Sequence, residues 1–176
     1  MAAARLAQRP RIPPRSRSLR YTVDASVFVN AINPHEDGHA ESLAILAAIQ
    51  QSGDPLIVPA LLLPEIASAV ARASDDSAGA LHYAVAAVAL PHLTLVSVTS
   101  IMARQAAELA ARHRLRGADA VYVAVARRYG TTLVSRDEEQ RVRGSAVVTC
   151  QTPEEALSSR RVTTRARRSA RLIKRS

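Results

Sequence analysis

The sequence predicts an α/β fold in which helices cover both faces of a parallel sheet. Short strand-like apolar segments alternate with helical segments throughout residues 21–157. Helical crossovers of this length join strands that run parallel and pack against both faces of the sheet. Acidic residues also recur at the edges of apolar segments, and α/β folds bind ligands beyond the carboxyl ends of their strands. A chain of 176 residues is long enough for one domain with a real core.

The first half of the predicted domain opens with a strand at 21–23, and Asp24 falls where this strand would end. Pro34 stops a short helix at 25–32, and Pro64 must either kink the helix at 59–73 or lie in its first turn. The remaining elements are a helix at 36–51 and, after a turn at 52–55, a strand at 56–58. Four residues at helical spacing predict the apolar face of the helix at 36–51: Ala40, Leu43, Ala44 and Ala47.

The second half continues the alternation of helices and strands. A turn and cap at 74–76 start a helix that Pro91 closes, and Gly130 ends a helix that is apolar nearly all round. Thr152-Pro153 is a cap followed by a proline, which is typical of a helix start. The predicted elements are strands at 93–98, 131–134 and 146–149, and helices at 77–90, 101–113, 118–129 and from 153.

The net charge of +9 is concentrated at the two ends of the chain. Residues 1–20 hold six arginines and residues 158–176 hold seven arginines and one lysine, with no acidic residue in either segment. Residues 21–157 hold ten arginines against all fifteen acidic residues, a net charge of −5. We therefore expect a folded domain at 21–157 between two disordered basic extensions, which act either as RNA-holding arms or only as solvated termini.

The amino-acid composition indicates the cellular compartment and limits the ways in which the chain could bind nucleic acid. Cys150 is the only cysteine, so no internal disulfide forms, which suits a reducing cytoplasm. The chain has no apolar run long enough to span a membrane. Phe28 is the only phenylalanine and tryptophan is absent, so base stacking is not expected to dominate any binding of nucleic acid.

Four acidic residues stand at strand ends or on the borders of buried faces: Asp24, Glu65, Asp119 and Asp137. Each also has a purely structural interpretation. Asp24 and Asp137 are plausible caps, Asp119 complements a helix dipole, and Glu65 pairs with Arg72. Taken together, four such carboxylates would repel one another unless a cation neutralised them, and an all-oxygen site suits Mg²⁺ or Mn²⁺.

Four ordered segments carry a family resemblance: Val23-Asp24-Ala25-Ser26, Pro64-Glu65-Ile66, Gly117-Ala118-Asp119-Ala120 with Tyr122-Val123-Ala124, and Thr132-Leu133-Val134-Ser135-Arg136-Asp137. With these segments the chain resembles the PIN-domain ribonucleases, most closely the VapC-type toxins of type II toxin–antitoxin systems, over about residues 21–157. Two departures stand out. Glu138, Glu139 and Gln140 occupy the place of an aromatic residue that often follows the fourth acid, and the basic extensions are longer than usual.

The resemblance implies a three-layer α/β/α fold with a central parallel sheet of four or five strands. It implies endonucleolytic cleavage of RNA with Mg²⁺ or Mn²⁺ held by Asp24, Glu65, Asp119 and Asp137. Ser26 and Ser135 would hold the carboxylates or a water by hydrogen bonds, whereas Glu36 and His39 would be structural. It also implies a cognate antitoxin as partner and a homodimer formed through helices near 36–51 and 60–90.

Basic residues near the predicted site are candidates for binding the RNA backbone: Arg112, Arg114, Arg116 and Arg136. The alternative interpretation is a solvated basic loop. Two other activities fit poorly, since a phospho-receiver domain needs a lysine late in the domain and the only lysine is Lys174, and a phosphatase Asp-x-Asp motif would need an acid at Ser26. A non-catalytic PIN-like module that binds RNA or protein is the remaining alternative, although such modules usually lack one of the acids.

Overall fold

The computed structural model describes residues 19–162. A five-stranded sheet forms the centre, with the strand order β3-β2-β1-β4-β5 and every neighbouring pair parallel. The strands are β1 (Tyr21–Val23), β2 (Leu56–Pro59), β3 (Leu93–Val96), β4 (Thr132–Val134) and β5 (Cys150–Gln151). Helices pack on both faces, which confirms the predicted three-layer α/β/α fold. Within the described residues, no helix combines the length and apolar character needed to cross a membrane.

All helices except the one at Glu138–Gly144 lie close to their predicted positions. They are α1 (Ala25–Asn30), α2 (His39–Ser52), α3 (Leu62–Ser74), α4 (Ser77–Val88), α5 (Ser100–His113), α6 (Gly117–Tyr129), α7 (Glu138–Gly144) and α8, which includes residues 153–162. Pro64 lies in the first turn of α3, where its missing N–H group removes no helical hydrogen bond. Asp76 and Thr99 cap α4 and α5 by accepting hydrogen bonds from backbone N–H groups.

The core lies around β1, β2 and α6. Every residue of β1 and β2 is buried, and α6 buries seven consecutive residues, 120–126, as expected for a helix that is apolar nearly all round. The one polar residue of β1, Thr22, is satisfied by hydrogen bonds of 2.7 Å to the Ile57 carbonyl and 2.6 Å to the Thr131 hydroxyl. This packing fixes the carboxyl end of β1 and the first turn of α6, the two positions that carry Asp24 and Asp119.

Two local predictions were wrong, and one helix was missed. The fifth strand is Cys150–Gln151 and not 146–149, because the N–H groups of Val147 and Val148 both bond to the Gly144 carbonyl and close a turn there. Helix α7 was not predicted at all. The buried face of α2 comprises Ser42, Ile45 and Ile49, and Leu43 is half exposed, because the many alanines of this helix define no single apolar side.

The last helix ties the end of the described chain to the body of the domain. Residues 158–162, assigned to the C-terminal extension on their basic composition, are helical. Arg160 is buried and bonds to the Asp54 carboxylate at 2.5 Å, to the Ala48 carbonyl at 2.9 Å and to the Ser52 hydroxyl at 2.7 Å. Its guanidinium group also lies 5.5 Å from the ring centre of Tyr21. The rest of both basic extensions lies outside the described residues.

Candidate active site

The strand order creates the position of the site. The chain passes from β1 outwards through β2 to β3 and then returns to the other side of β1 as β4. This reversal opens a crevice beyond the carboxyl ends of β1 and β4, the usual ligand position in a doubly wound sheet. A cleft of about 830 Å³ lies there, and Asp24, Glu65 and Asp119 are among the residues that line it. Asp137 follows β4 at the border of the same region.

Asp24 is held rigidly at the end of β1. Its N–H group continues the sheet with a bond of 2.9 Å to the Val134 carbonyl, and its Oδ2 accepts a bond of 2.8 Å from the Ser26 N–H group as the cap of α1. The residue is only 8 % exposed. Burial raises the pKa of its carboxyl group, and the nearby charge of Asp137 raises it further, against hydrogen bonds from Ser26 and Gln140. Its capping role and its position in the site coexist.

Asp119 enters the site from the first turn of α6. Partial burial raises the pKa of its carboxyl group to about 6, with further contributions from the charges of Asp137 and Asp24. Its Oδ2 atom is buried and has no hydrogen-bond partner among the described residues. A buried carboxylate oxygen without a donor is costly in a metal-free protein and is the kind of atom that a cation would satisfy.

Glu65 is oriented by a tyrosine and not by the arginine suggested from the sequence. The Tyr122 hydroxyl donates a bond of 2.6 Å to Glu65 Oε2, while Arg72 donates to the Ser68 hydroxyl. Burial raises the pKa of Tyr122 far above its usual value, so its hydroxyl stays protonated as a donor. Burial and the charges of Asp24 and Asp119 raise the pKa of Glu65. Three carboxyl groups therefore influence one another across the cleft.

Asp137 begins α7 and is already engaged on both oxygens. Oδ1 accepts a bond of 2.9 Å from the Gln140 N–H group as the helix cap, and Oδ2 pairs with Arg116 at 3.3 Å. The two predicted serines join this loop to α1. The Ser135 hydroxyl accepts from the Asp137 N–H group at 3.0 Å and lies 3.5 Å from the Ser26 hydroxyl.

Gln140 is the site residue that sequence reasoning missed. Its side chain is fully buried, and Nε2 donates to Asp24 Oδ1 at 3.3 Å and to Asp119 Oδ1 at 3.5 Å. One sequence signal was available, because Asp137 followed three residues later by Gln140 has the spacing of a capping box, which marks a helix start. In a capping box the glutamine would turn back to the cap residue, whereas here it turns into the site.

The site suits a divalent cation that keeps several water ligands better than a cation that is bound by protein ligands alone. Within residues 19–162, no group of three or more His, Cys, Asp or Glu side chains is assembled to hold a metal ion. Mg²⁺ commonly keeps several waters and binds through one or two carboxylates, so such a group is not required. Asp24 and Asp119, joined by one amide and with one buried oxygen unsatisfied, supply a suitable pair of oxygen ligands. Glu65 and Asp137 add negative charge around the pair.

Two of the four predicted RNA-binding arginines line the cleft, namely Arg116 and Arg136. Arg116 pairs with Asp137 and with Glu139 at 2.8 Å. Arg136 approaches the backbone of Gly38 so closely that a side chain at that position would overlap its guanidinium group. Arg112 and Arg114 do not line the cleft, whereas Arg72, which was not predicted to bind RNA, does.

Comparisons with known proteins agree with this architecture. A family model described as the PIN domain matches residues 21–144. No curated protein matches the chain in sequence.

Solved structures of VapBC2, VapC20 and FitAcB share the fold. Rickettsia felis VapBC2 bound to promoter DNA superimposes with a TM-score of 0.58 at 14% identity, over 76% of this chain and 98% of that one. Mycobacterium tuberculosis VapC20, described as a toxin that cleaves the sarcin–ricin loop, gives a TM-score of 0.59 at 21% identity, over 69% and 93%. FitAcB from Neisseria gonorrhoeae gives 0.57 at 19% identity, over 76% and 97%.

Proposed function

Because the chain belongs to the PIN-domain family, we propose that it is a metal-dependent endoribonuclease that acts as the toxin of a toxin–antitoxin pair. The observation that carries the proposal is the pair Asp24 and Asp119, two carboxyl groups with raised pKa values joined at the switch point of the sheet. VapC20 shares the fold and is a toxin that cleaves an RNA loop. We extend RNA cleavage to this chain, without its particular target.

The residues of the cleft divide the work of hydrolysis. Asp24 and Asp119 would hold Mg²⁺ or Mn²⁺, and Glu65, oriented by Tyr122, would hold the attacking water. When bound, the cation would supply Lewis acidity, since it neutralises charge on the phosphate and lowers the pKa of water. Ser26 and Ser135 would keep the loop after β4 in register with the cleft.

Binding of the substrate would rest on charge rather than on base stacking. Arg116 and Arg136 border the carboxylates on the lining of the cleft and would hold phosphate groups on either side of the scissile bond. Arg116 would have to exchange its pairs with Asp137 and Glu139 for phosphate oxygens. The guanidinium group is exposed and the two carboxylates are partly exposed, so water screens both pairs and the exchange costs little free energy.

Two protein partners are proposed, an antitoxin at the acidic cleft and a second copy of the chain at α4. A basic side chain from an antitoxin would enter the acidic cleft, in the way that the guanidinium group of Arg116 already binds Asp137.

A second copy of the chain would cover the apolar side of α4, where Leu81 and Val85 lie one helical turn apart and are 56% and 50% exposed. Analytical ultracentrifugation of the wild type and of Leu81→Glu tests the dimer, and a wild type that is monomeric at every concentration refutes it.

The activity test uses an isosteric change in the carboxylate pair. Asp24→Asn keeps the volume of the side chain and removes its charge, so we expect loss of RNA cleavage in Mg²⁺ and Mn²⁺ with an unchanged circular dichroism spectrum. Glu108→Gln, an exposed carboxylate on α5, serves as the matched control and should cleave like the wild type. Cleavage by Asp24→Asn at the wild-type rate would exclude this site.

Metal binding is tested separately from cleavage. Mn²⁺ should raise the melting temperature of the wild type, because the cation binds the folded state and relieves the repulsion between carboxylates. The double variant Asp24→Asn with Asp119→Asn should lose this rise. A rise of equal size in the double variant would locate the ion elsewhere.

The toxin role has its own test in cells. Expression of the wild type alone should arrest bacterial growth, and expression of Asp24→Asn should not. If the wild type is harmless and the purified protein leaves RNA intact in both metals, the non-catalytic binding module becomes the better function.

A further inference from the structure

We propose that Gln140 is a positioning residue of the acidic site, which joins Asp24 to Asp119 and leaves Asp119 Oδ2 as the free oxygen that meets the cation. The inference rests on the proposed metal dependence and extends it to a residue outside the four carboxylates. It concerns a position at which the chain departs from the aromatic residue often found after the fourth acid.

The hydrogen bonds of Gln140 connect three of the four acids. Its backbone N–H group donates to Asp137 Oδ1 at 2.9 Å, which fixes the start of α7. Its side-chain Nε2 donates to Asp24 Oδ1 at 3.3 Å and to Asp119 Oδ1 at 3.5 Å. An amide NH₂ group has two donors, so both are directed at carboxylates. Gln140 thus links the segments that follow β1 and β4 to the first turn of α6.

This arrangement assigns different tasks to the two oxygens of Asp119. Oδ1 accepts from Gln140, whereas Oδ2 is buried and lacks a partner among the described residues. A partial rotation of the carboxylate would break the bond to the amide, so Gln140 fixes the orientation of the carboxylate and thereby the position of the unbonded oxygen. Donors that hydrogen-bond to metal-binding side chains orient them in this way, and their removal typically weakens metal binding by about tenfold or more.

If Gln140 had a purely structural role, its replacement would be expected to have a different effect. Gln140 is fully buried, and its Oε1 atom also lacks a partner among the described residues. If the side chain only filled space, an apolar side chain of equal length would serve at least as well, because it would remove an unsatisfied buried oxygen. Metal affinity therefore separates the two roles, whereas stability alone would not.

The test is Gln140→Met, which keeps the length of the side chain and removes the amide. We expect Mn²⁺ binding by the full chain, measured by titration calorimetry, to weaken about tenfold relative to the wild type. Gln105→Met, on the exposed side of α5, is the matched control and should bind like the wild type. Equal Mn²⁺ affinity in Gln140→Met and the wild type overturns the proposal. A wild type that binds no Mn²⁺ rejects the metal dependence itself and is distinguishable from that result.

A second variant and a measurement on the wild type cover the case in which the methionine protein does not fold. Gln140→Asn retains the amide but withdraws it by one methylene group, and it should also weaken Mn²⁺ binding. In the wild type, the side-chain NH₂ resonances of Gln140 should exchange with solvent more slowly than those of Gln105 and should shift when Mg²⁺ is added. Exchange as fast as that of Gln105, or no shift with Mg²⁺, contradicts the bridge.

Discussion

Replacing Asp119 by asparagine should stabilise the metal-free protein, by an amount that grows as the pH rises from 3.8 to about 6. The pKa of Asp119 in the folded protein is raised from 3.8 to about 6. Between these values the folded state retains a proton that the unfolded chain has released. The folded state therefore loses stability as the pH rises through this window, and the loss is complete above about pH 6. Asparagine cannot ionise, and its amide oxygen can still accept from Gln140.

The size of the effect follows from the shift. About two pKa units correspond to about 3 kcal/mol at full burial, since each unit is worth about 1.4 kcal/mol. Asp119 is only half-buried, so water screens the penalty, and we expect about 1–2 kcal/mol. For a chain of this size, that gain raises the melting temperature by roughly 2 to 8 °C.

Thermal unfolding followed by circular dichroism in EDTA, from about pH 4 to about pH 8, measures the effect. The two proteins should melt together at the acid end and diverge above it, with Asp119→Asn the more stable. Glu108→Gln should follow the wild type throughout. A gap that is constant across the range would point to packing and not to ionisation, and a lower melting temperature for Asp119→Asn at high pH would refute the reasoning.

Two further perturbations probe the supports of the site and of the fold. Tyr122→Phe removes the donor to Glu65 Oε2 and should slow cleavage by roughly tenfold, while the melting temperature changes little. Unchanged cleavage in a single-turnover assay would show that this bond does not orient Glu65 for reaction. Arg160→Met leaves the buried Asp54 carboxylate unpaired and should cost about 3 kcal/mol in urea unfolding. Adding Asp54→Asn should recover part of that loss, and strictly additive effects would show that the pair is not coupled.

The sequence was informative where the signal was local. Asp24 and Asp137 follow strand segments that β-branched and apolar residues mark clearly, so their shared edge of the sheet followed from parallel topology. Asp119 was located by a helix that is apolar nearly all round. Asp24 and Asp137 each cap a helix, as their structural interpretation predicts, and Asp24 also lines the cleft, so its structural role does not exclude a role in the site.

The sequence was uninformative where partners are far apart along the chain. Gln140 meets Asp24 across 116 positions, and Arg160 meets Asp54 across 106. No periodicity or propensity encodes such pairs, which depend on how the finished elements pack. The fifth strand was misassigned for a different reason, which is local. Val147 and Val148 have strong strand propensity, but their N–H groups bond to the Gly144 carbonyl in a local turn. The chain therefore joins the sheet only from Cys150 onwards.

The central position of β1 has a consequence for the order in which the protein is made. Asp24 leaves the ribosome before the other three acids, but the strand that precedes it lies between β2 and β4, and β4 ends at Val134. The carboxylates of Asp24 and Asp119 cannot be joined until Gln140 has been synthesised. A polypeptide released from a stalled ribosome before Gln140 therefore lacks the amide that joins the two carboxylates, so the cleft can assemble only in chains that extend through α7.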